Sequence, residues 1–88
     1  MKLITLIHPD VDFAALTLIC SSSDTLLLRQ DAVYLARRND IEWPSQHVTV
    51  LSSDLAIRQI TAVESLSIID DTEWVKLAAK AAQVILWR

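Results

Sequence analysis

The sequence predicts a small α/β protein: a single three-layer domain built on a mostly parallel, five-stranded sheet with helices on both faces. Two observations carry that prediction. Short, near-continuously apolar runs of strand length alternate with stretches of helical periodicity, and each run ends in a small polar cluster, the rhythm of repeated strand and helix units. The chain has 88 residues, room for one core, so residues 1–88 are read as one domain.

Leu3 to Ile7 is the first strand. From Asp12, Phe13, Leu16 and Cys20 recur on one helical face, and the tetrad Ser21 to Asp24 stops that helix. Thr25 to Leu28 is the second strand. The following stretch, Asp31 to Arg38, reads as a helix with Asp31 as N-cap and two arginines favourably placed at its C-terminal end. With no glycine in the chain, Asn39 is the residue expected to take a left-handed conformation at the turn that follows. Ile41 to Gln46 contains Trp43-Pro44 and reads as a loop, the place to expect an exposed aromatic. Val48 to Leu51 is the third strand, with Ser52, Ser53 and Asp54 capping a short helix that runs to about Arg58. Leu66 to Ile69 is the fourth strand. Asp70, Asp71 and Thr72 cap a longer helix from Glu73 to about Ala82, with Val75, Ala78, Ala79 and Ala82 as its buried stripe and Trp74 off it. Val84 to Trp87 closes the chain as an edge strand. Crossovers of helix length between apolar strands require a parallel sheet covered on both sides.

Composition excludes several function classes. Hydrophobic residues make up 52% of the chain and charged residues 22%, which rules out disorder and leaves more apolar material than so small a particle can bury, so part of it is expected to face a partner. The absence of glycine removes phosphate-cradling P-loop and GxGxxG motifs. A net charge of -3 gives no electrostatic excess for holding a phosphate backbone, so direct nucleic-acid binding is not expected. No apolar stretch reaches about 18 residues and no signal-peptide core is present, so neither membrane insertion nor export is expected. The lone cysteine, Cys20, fits a reducing compartment, and the cytoplasm is the expected location.

Few residues offer chemistry. His8, Asp10, Asp12, Asp31, Ser52, Ser53, Asp54, Asp70 and Asp71 all follow strands and gather on the rim where parallel sheets bind ligands. They are read mainly as helix caps, with a rim-bound Mg2+ as the alternative. Cys20 is the one soft nucleophile, but its place near a helix C-terminus and on an apolar stripe argues for packing over a reactive thiolate. His8 and His47 have no partner that would make a triad. No metal or cofactor site is therefore expected. Trp43, Trp74 and Trp87 are the candidates for a partner interface, since tryptophan is enriched at binding hot spots.

The order and spacing of Leu3-Ile4-Thr5-Leu6, Asp12-Phe13-Ala14-Ala15-Leu16, Asp24 to Ala36, Val50-Leu51-Ser52-Ser53-Asp54-Leu55-Ala56, Ile68 to Leu77 and a terminal Trp87 resemble the TusB/DsrH family over essentially the whole chain. The resemblance implies a DsrE/F/H-like α/β domain that assembles with two paralogous subunits of the same fold, TusC- and TusD-like or DsrF- and DsrE-like, into a heterohexamer of paired trimers. In the TusB branch such a complex passes persulfide sulfur toward 2-thiolation of the tRNA wobble uridine. In the DsrH branch it serves dissimilatory sulfur oxidation. The main sulfur-carrying cysteine of these complexes lies in another subunit, so this chain looks like a non-catalytic accessory subunit, with a small persulfide-carrying enzyme based on Cys20 as the other reading. The shortness of the chain and the lack of a cysteine in the middle of the first helix look more TusB-like. The sequence departs from the family at Ser23-Asp24 and Asp31-Ala32, where glycine-containing pairs are common, and of an Ala-Arg-Gly pattern only Arg58 is kept.

Overall fold

In the computed structural model, which describes residues 1–87, five strands form one sheet: β1 (Lys2–Leu6), β2 (Thr25–Leu28), β3 (His47–Leu51), β4 (Ser67–Ile69) and β5 (Gln83–Trp87). Their order is β4-β3-β2-β1-β5, and every neighbouring pair is parallel. The expected architecture is present, with a sheet that is wholly rather than mostly parallel and β5 at one edge.

Alternation along the strands separates two faces. Ile4, Leu6, Leu26, Leu28, Val48 and Val50 belong to the larger cluster, which is roofed by α1 (Phe13–Ile19), a 3-10 segment (Gln30–Arg37) and α2 (Ser52–Arg58). Leu3, Leu27, Leu51 and Ile69 face the other way and meet a single helix, α3 (Asp71–Lys80). Chain topology explains the imbalance. β1, β2 and β3 each step to the next strand through a connection on the first face, whereas the passage from β4 back to β5 is the one that crosses the second.

Two helix starts are built as the sequence predicts. The Asp12 carboxylate accepts from the Ala15 N–H at 3.2 Å. Asp70 and Glu73 form a reciprocal capping box, the Asp70 carboxylate accepting from the Glu73 N–H (2.7 Å) and the Glu73 carboxylate from the Asp70 N–H (3.2 Å). Two others differ from expectation. Leu51 and Arg29 stand at the N-cap positions of α2 and the 3-10 segment, without side-chain caps. Asp54 and Asp31 lie inside the first turns and have other partners.

The stretch expected to be an α-helix from Asp31 is a 3-10 coil, and its burial shows why. Ala32, Val33, Leu35 and Ala36 are buried, while Asp31, Tyr34 and Arg37 are exposed. That pattern has a period of three, which matches three residues per turn, not 3.6. In α3 the stripe is shifted from the one expected: Trp74, Leu77, Ala78 and Ala81 pack on the sheet, whereas Val75 is 67% exposed and Ala79 and Ala82 also face solvent. The indole offers more apolar area than the valine, so the helix rolls to bury it.

Left-handed backbone occurs at Gln30 (φ 51°) and Gln59 (φ 54°), and not at Asn39. Gln59 ends α2, after which the Ile60 N–H donates back to the Leu55 carbonyl at 3.0 Å, closing a Schellman-type turn. A residue with a Cβ loses about 1 kcal/mol in this conformation relative to glycine. Gln59→Gly is therefore expected to raise stability by about 1 kcal/mol in urea unfolding; a loss would show that the glutamine side chain, and not its backbone, governs the turn.

Candidate functional site

Three regions hold the residues singled out by sequence. The first is the rim at the amino ends of the strands. α1 starts beyond the carboxyl end of β1 and returns to the opposite rim, so Cys20, its C-cap, lies beside the starts of β1 and β2. The buried Asp24 carboxylate organises this corner. It accepts from the backbone N–H groups of Lys2 and Ser21, both at 2.9 Å, and its Oδ2 lies 3.5 Å from Lys2 Nζ. Those backbone donors, with the lysine charge, hold its pKa down at about 2. The buried Ser45 hydroxyl lies against the Asp24 carbonyl and accepts from the His47 N–H at 3.1 Å, fixing the entry to β3.

Cys20 is half-buried and packs against the larger cluster. Burial pushes its thiol pKa up, and the Asp24 charge pushes it further, against a smaller opposing pull from Lys2. Its Sγ lies 3.5 Å from the Ser21 carbonyl, an acceptor that holds the thiol form. The surroundings thus favour thiol over thiolate.

The second region is the opposite rim. His8 and Asp10 are exposed there, and the other carboxylates have nearby partners. Asp12 and Asp70 cap helices, as expected. Arg58 donates to Asp31 Oδ1 from Nε (3.1 Å) and Nη2 (3.0 Å) and approaches Asp54 at 3.6 Å, while Asp54 Oδ2 accepts from the Gln30 N–H at 2.8 Å. Arg58 thus ties α2 to the 3-10 segment. The chain leaves β3 and β4 toward opposite faces, and open sheets keep such a crevice for ligands. Here the Ser53 hydroxyl bridges it to Asp71 at 3.1 Å. Among the described residues, no three His, Cys, Asp or Glu side chains converge as a metal would require.

The third region is the second sheet face, where α3 leaves a groove on either side. The flank over β3 and β4 is mixed, with Thr49, Ser67, Glu73, Lys76 and Lys80 among its lining residues. Over β1 and β5 the lining is mainly apolar, in a groove of about 440 Å³. Register sets Val84 beside Leu3 and Leu86 beside Thr5, so both β5 side chains lie on this face, 54% and 47% exposed. Across from them stands Val75. Continuing the alternation of β2, Arg29 lies on the same face, with its guanidinium 4.0 Å from the centroid of the Trp74 ring.

The three tryptophans are all half-buried. Trp43, in the loop where an exposed aromatic is expected, turns inward and meets Phe13 edge to face at 5.6 Å. Trp87 packs against the larger cluster, and Trp74 lies beneath Arg29 on the smaller. The structure does not gather them: Trp43 and Trp87 contact one face's core and Trp74 the other's. Arg29, Val75, Val84 and Leu86 are not among the sequence-derived site residues. The available signal was a cation directly after the apolar strand Thr25–Leu28 and an unbroken apolar run in an edge strand.

Fold and sites together define a parallel α/β domain most of whose rim carboxylates are engaged by helix starts and by Arg58, with His8 and Asp10 left exposed, and whose second face carries an apolar groove. Residues 8–84 match the family of DsrH like proteins. The chain belongs to that family, which makes it a relative of the sulfur-relay subunits. No curated protein matches it.

Two expectations follow from the Cys20 and Asp24 corner. Cys20 should alkylate more slowly at pH 7.5 than a free cysteine, with a kinetic pKa above about 8.5; faster reaction would reveal an activated thiolate. Asp24, depressed from about 3.9 in the unfolded chain to about 2, contributes stability that is full above pH 4 to 5. As pH falls toward about 2 the unfolded chain takes up the proton first, and that contribution is lost. Urea midpoints measured from pH 6 to pH 2.5 should fall less steeply in Asp24→Asn than in the parent; equal slopes would remove Asp24 from the acid response.

Proposed function

We propose that this chain is a non-catalytic subunit of a cytoplasmic sulfur-relay complex that passes persulfide sulfur toward 2-thiolation of the tRNA wobble uridine. In this reading it assembles with two paralogous subunits of the same fold into a heterohexamer, and the persulfide is carried by a cysteine of a partner. The observation that carries the reading is the uncovered apolar strip on the second sheet face. A side of the sheet that a lone chain leaves open is what a subunit presents to its neighbours.

The environment of Cys20 supports the division of labour. A sulfur carrier needs a thiolate that can attack a persulfide, and here burial and Asp24 oppose ionisation. The thiol also lies at the rim opposite the carboxyl ends of the strands. The absence of a cysteine within α1, where some DsrH-type members have one, supports the tRNA branch over dissimilatory sulfur oxidation.

Native mass spectrometry of the chain co-expressed with its two same-fold partners from the same cell should give a stoichiometric three-component assembly. A monomer indifferent to both partners would overturn the proposal. Depleting the chain should lower 2-thiouridine in tRNA hydrolysates, and Cys20→Ser should restore it within about twofold of the parent, since a packing residue makes no transition-state contact. Loss of thiolation in Cys20→Ser with assembly intact would make Cys20 the carrier.

A further inference from the structure

The groove between α3 and β5 is not uniformly apolar, and its one charge is informative. Val75, Val84 and Leu86 give it three exposed aliphatic side chains. Arg29 lines the same groove, its guanidinium over Trp74. Arg29 Nε is shut off from solvent and has no hydrogen-bond acceptor. No carboxylate among the described residues lies within ion-pair distance of this guanidinium, although Lys2 and Arg38 each have one and Arg58 has two. A guanidinium partly withdrawn from water without an anion is at a disadvantage that a carboxylate arriving from outside would relieve, and its planar fork suits bidentate pairing.

We propose that the groove is the docking site for a different polypeptide of the relay complex, one that lays apolar side chains on Val75, Val84 and Leu86 and sets an Asp or Glu carboxylate against Arg29. The inference rests on the docking-subunit reading and specifies the surface and the chemistry of its partner. A second copy of this chain does not fit. A two-fold contact centred here would set Arg29 against Arg29, because Asp and Glu are absent from the groove lining. Phosphate-rich partners do not fit either, since a lone cation among aliphatic side chains gives no charged track.

The test titrates the chain with the two same-fold subunits and reads dissociation constants, after circular dichroism confirms folding of each variant. Leu86→Asp and Val75→Asp are expected to weaken binding by about 100-fold or more, as a charge is forced into a desolvated contact. Val75 is on the outer side of α3, so its variant keeps the test valid if Leu86→Asp perturbs the edge strand. Arg29→Gln should weaken binding about tenfold or more and flatten its salt dependence, with Arg29→Lys intermediate. Ile57→Asp, at a 75% exposed position on α2 over the opposite face, should bind within twofold of the parent.

Wild-type affinity in both Leu86→Asp and Val75→Asp would overturn the docking site while leaving the assembly itself intact. An Arg29→Gln chain that binds as tightly as the parent would overturn the carboxylate. A homodimer of the parent that Leu86→Asp dissociates would overturn the choice of a different polypeptide. Failure of the unmutated chain to bind either subunit would overturn both this inference and the functional reading beneath it.

Discussion

The width of the sheet against the width of a helix is the constraint from which the rest of this molecule follows. Strands lie about 4.8 Å apart, so five of them make a surface roughly 24 Å across, while a helix with its side chains covers about 10 Å. The first face receives three helical segments, which cover it except at the β4 edge, where Ile68 is 54% exposed. The second receives α3 alone, ten residues or about 15 Å long, and one helix cannot cover five strands. Leu3, Leu27, Leu51 and Ile69 fill the strip beneath it. Val84 and Leu86, on the edge strand beyond β1, fall outside its reach. The open groove is therefore a geometric consequence of a topology in which a single crossover uses the second face.

The two rims of the sheet do different work. At the carboxyl ends, where related architectures place ligands, carboxylates are drawn into helix starts, into the Arg58 bridge and into the Ser53–Asp71 contact. These are mostly solvated interactions, each contributing little to stability singly, and they position turns rather than converge on a substrate. At the amino ends Asp24 is buried and takes two backbone N–H groups that would otherwise lack partners, one at the start of β1 and one after α1. A carboxylate held this way staples the turn before β2. Burial disfavours the Cys20 thiolate most, and the Asp24 charge adds to that, so the arrangement that secures the turn also helps keep Cys20 as a thiol.

Strand positions and the two aspartate caps at Asp12 and Asp70 were legible in the sequence because each depends on local chemistry: a continuous apolar run, or a short acceptor ahead of orphan N–H groups. What depended on tertiary choice was not. In α3, Val75-Ala78-Ala79-Ala82 and Trp74-Leu77-Ala78-Ala81 are two overlapping stripes about one residue apart, and only contact with the sheet chooses the one containing the indole. Asp31 and Asp54 looked like caps because Asp after a strand commonly is one, yet both lie a residue or more inside the helical turn and meet Arg58 or Gln30. The period of three in Asp31, Tyr34 and Arg37 was visible, but it differs from a helical period by little over so few residues. Left-handed backbone fell at Gln59 rather than Asn39 because the need for it arises where α2 must stop and return, and intrinsic preference at Asn39 could not relocate that turn. The groove was legible only as an excess: the apolar surplus said that something was uncovered, and the sheet order said what.

An uncovered apolar face in a chain of 88 residues also bears on how its stability is held. Domains of this size fold with a margin of roughly 4 to 13 kcal/mol, and the fraction of surface they can bury alone is limited. Closing the groove with α3's own residues would need a second helix, and so a longer crossover between β4 and β5. The short crossover leaves Val75, Val84 and Leu86 for a contact outside the chain, where a binder that recognises the folded state stabilises it in proportion to the logarithm of its concentration over Kd. The same side chains that a monomer leaves in water can thus add to the folded state's margin once covered. Placing one cation over Trp74 in that strip serves selectivity, because an apolar surface alone accepts many partners, whereas a partly desolvated guanidinium discriminates against any that bring no anion.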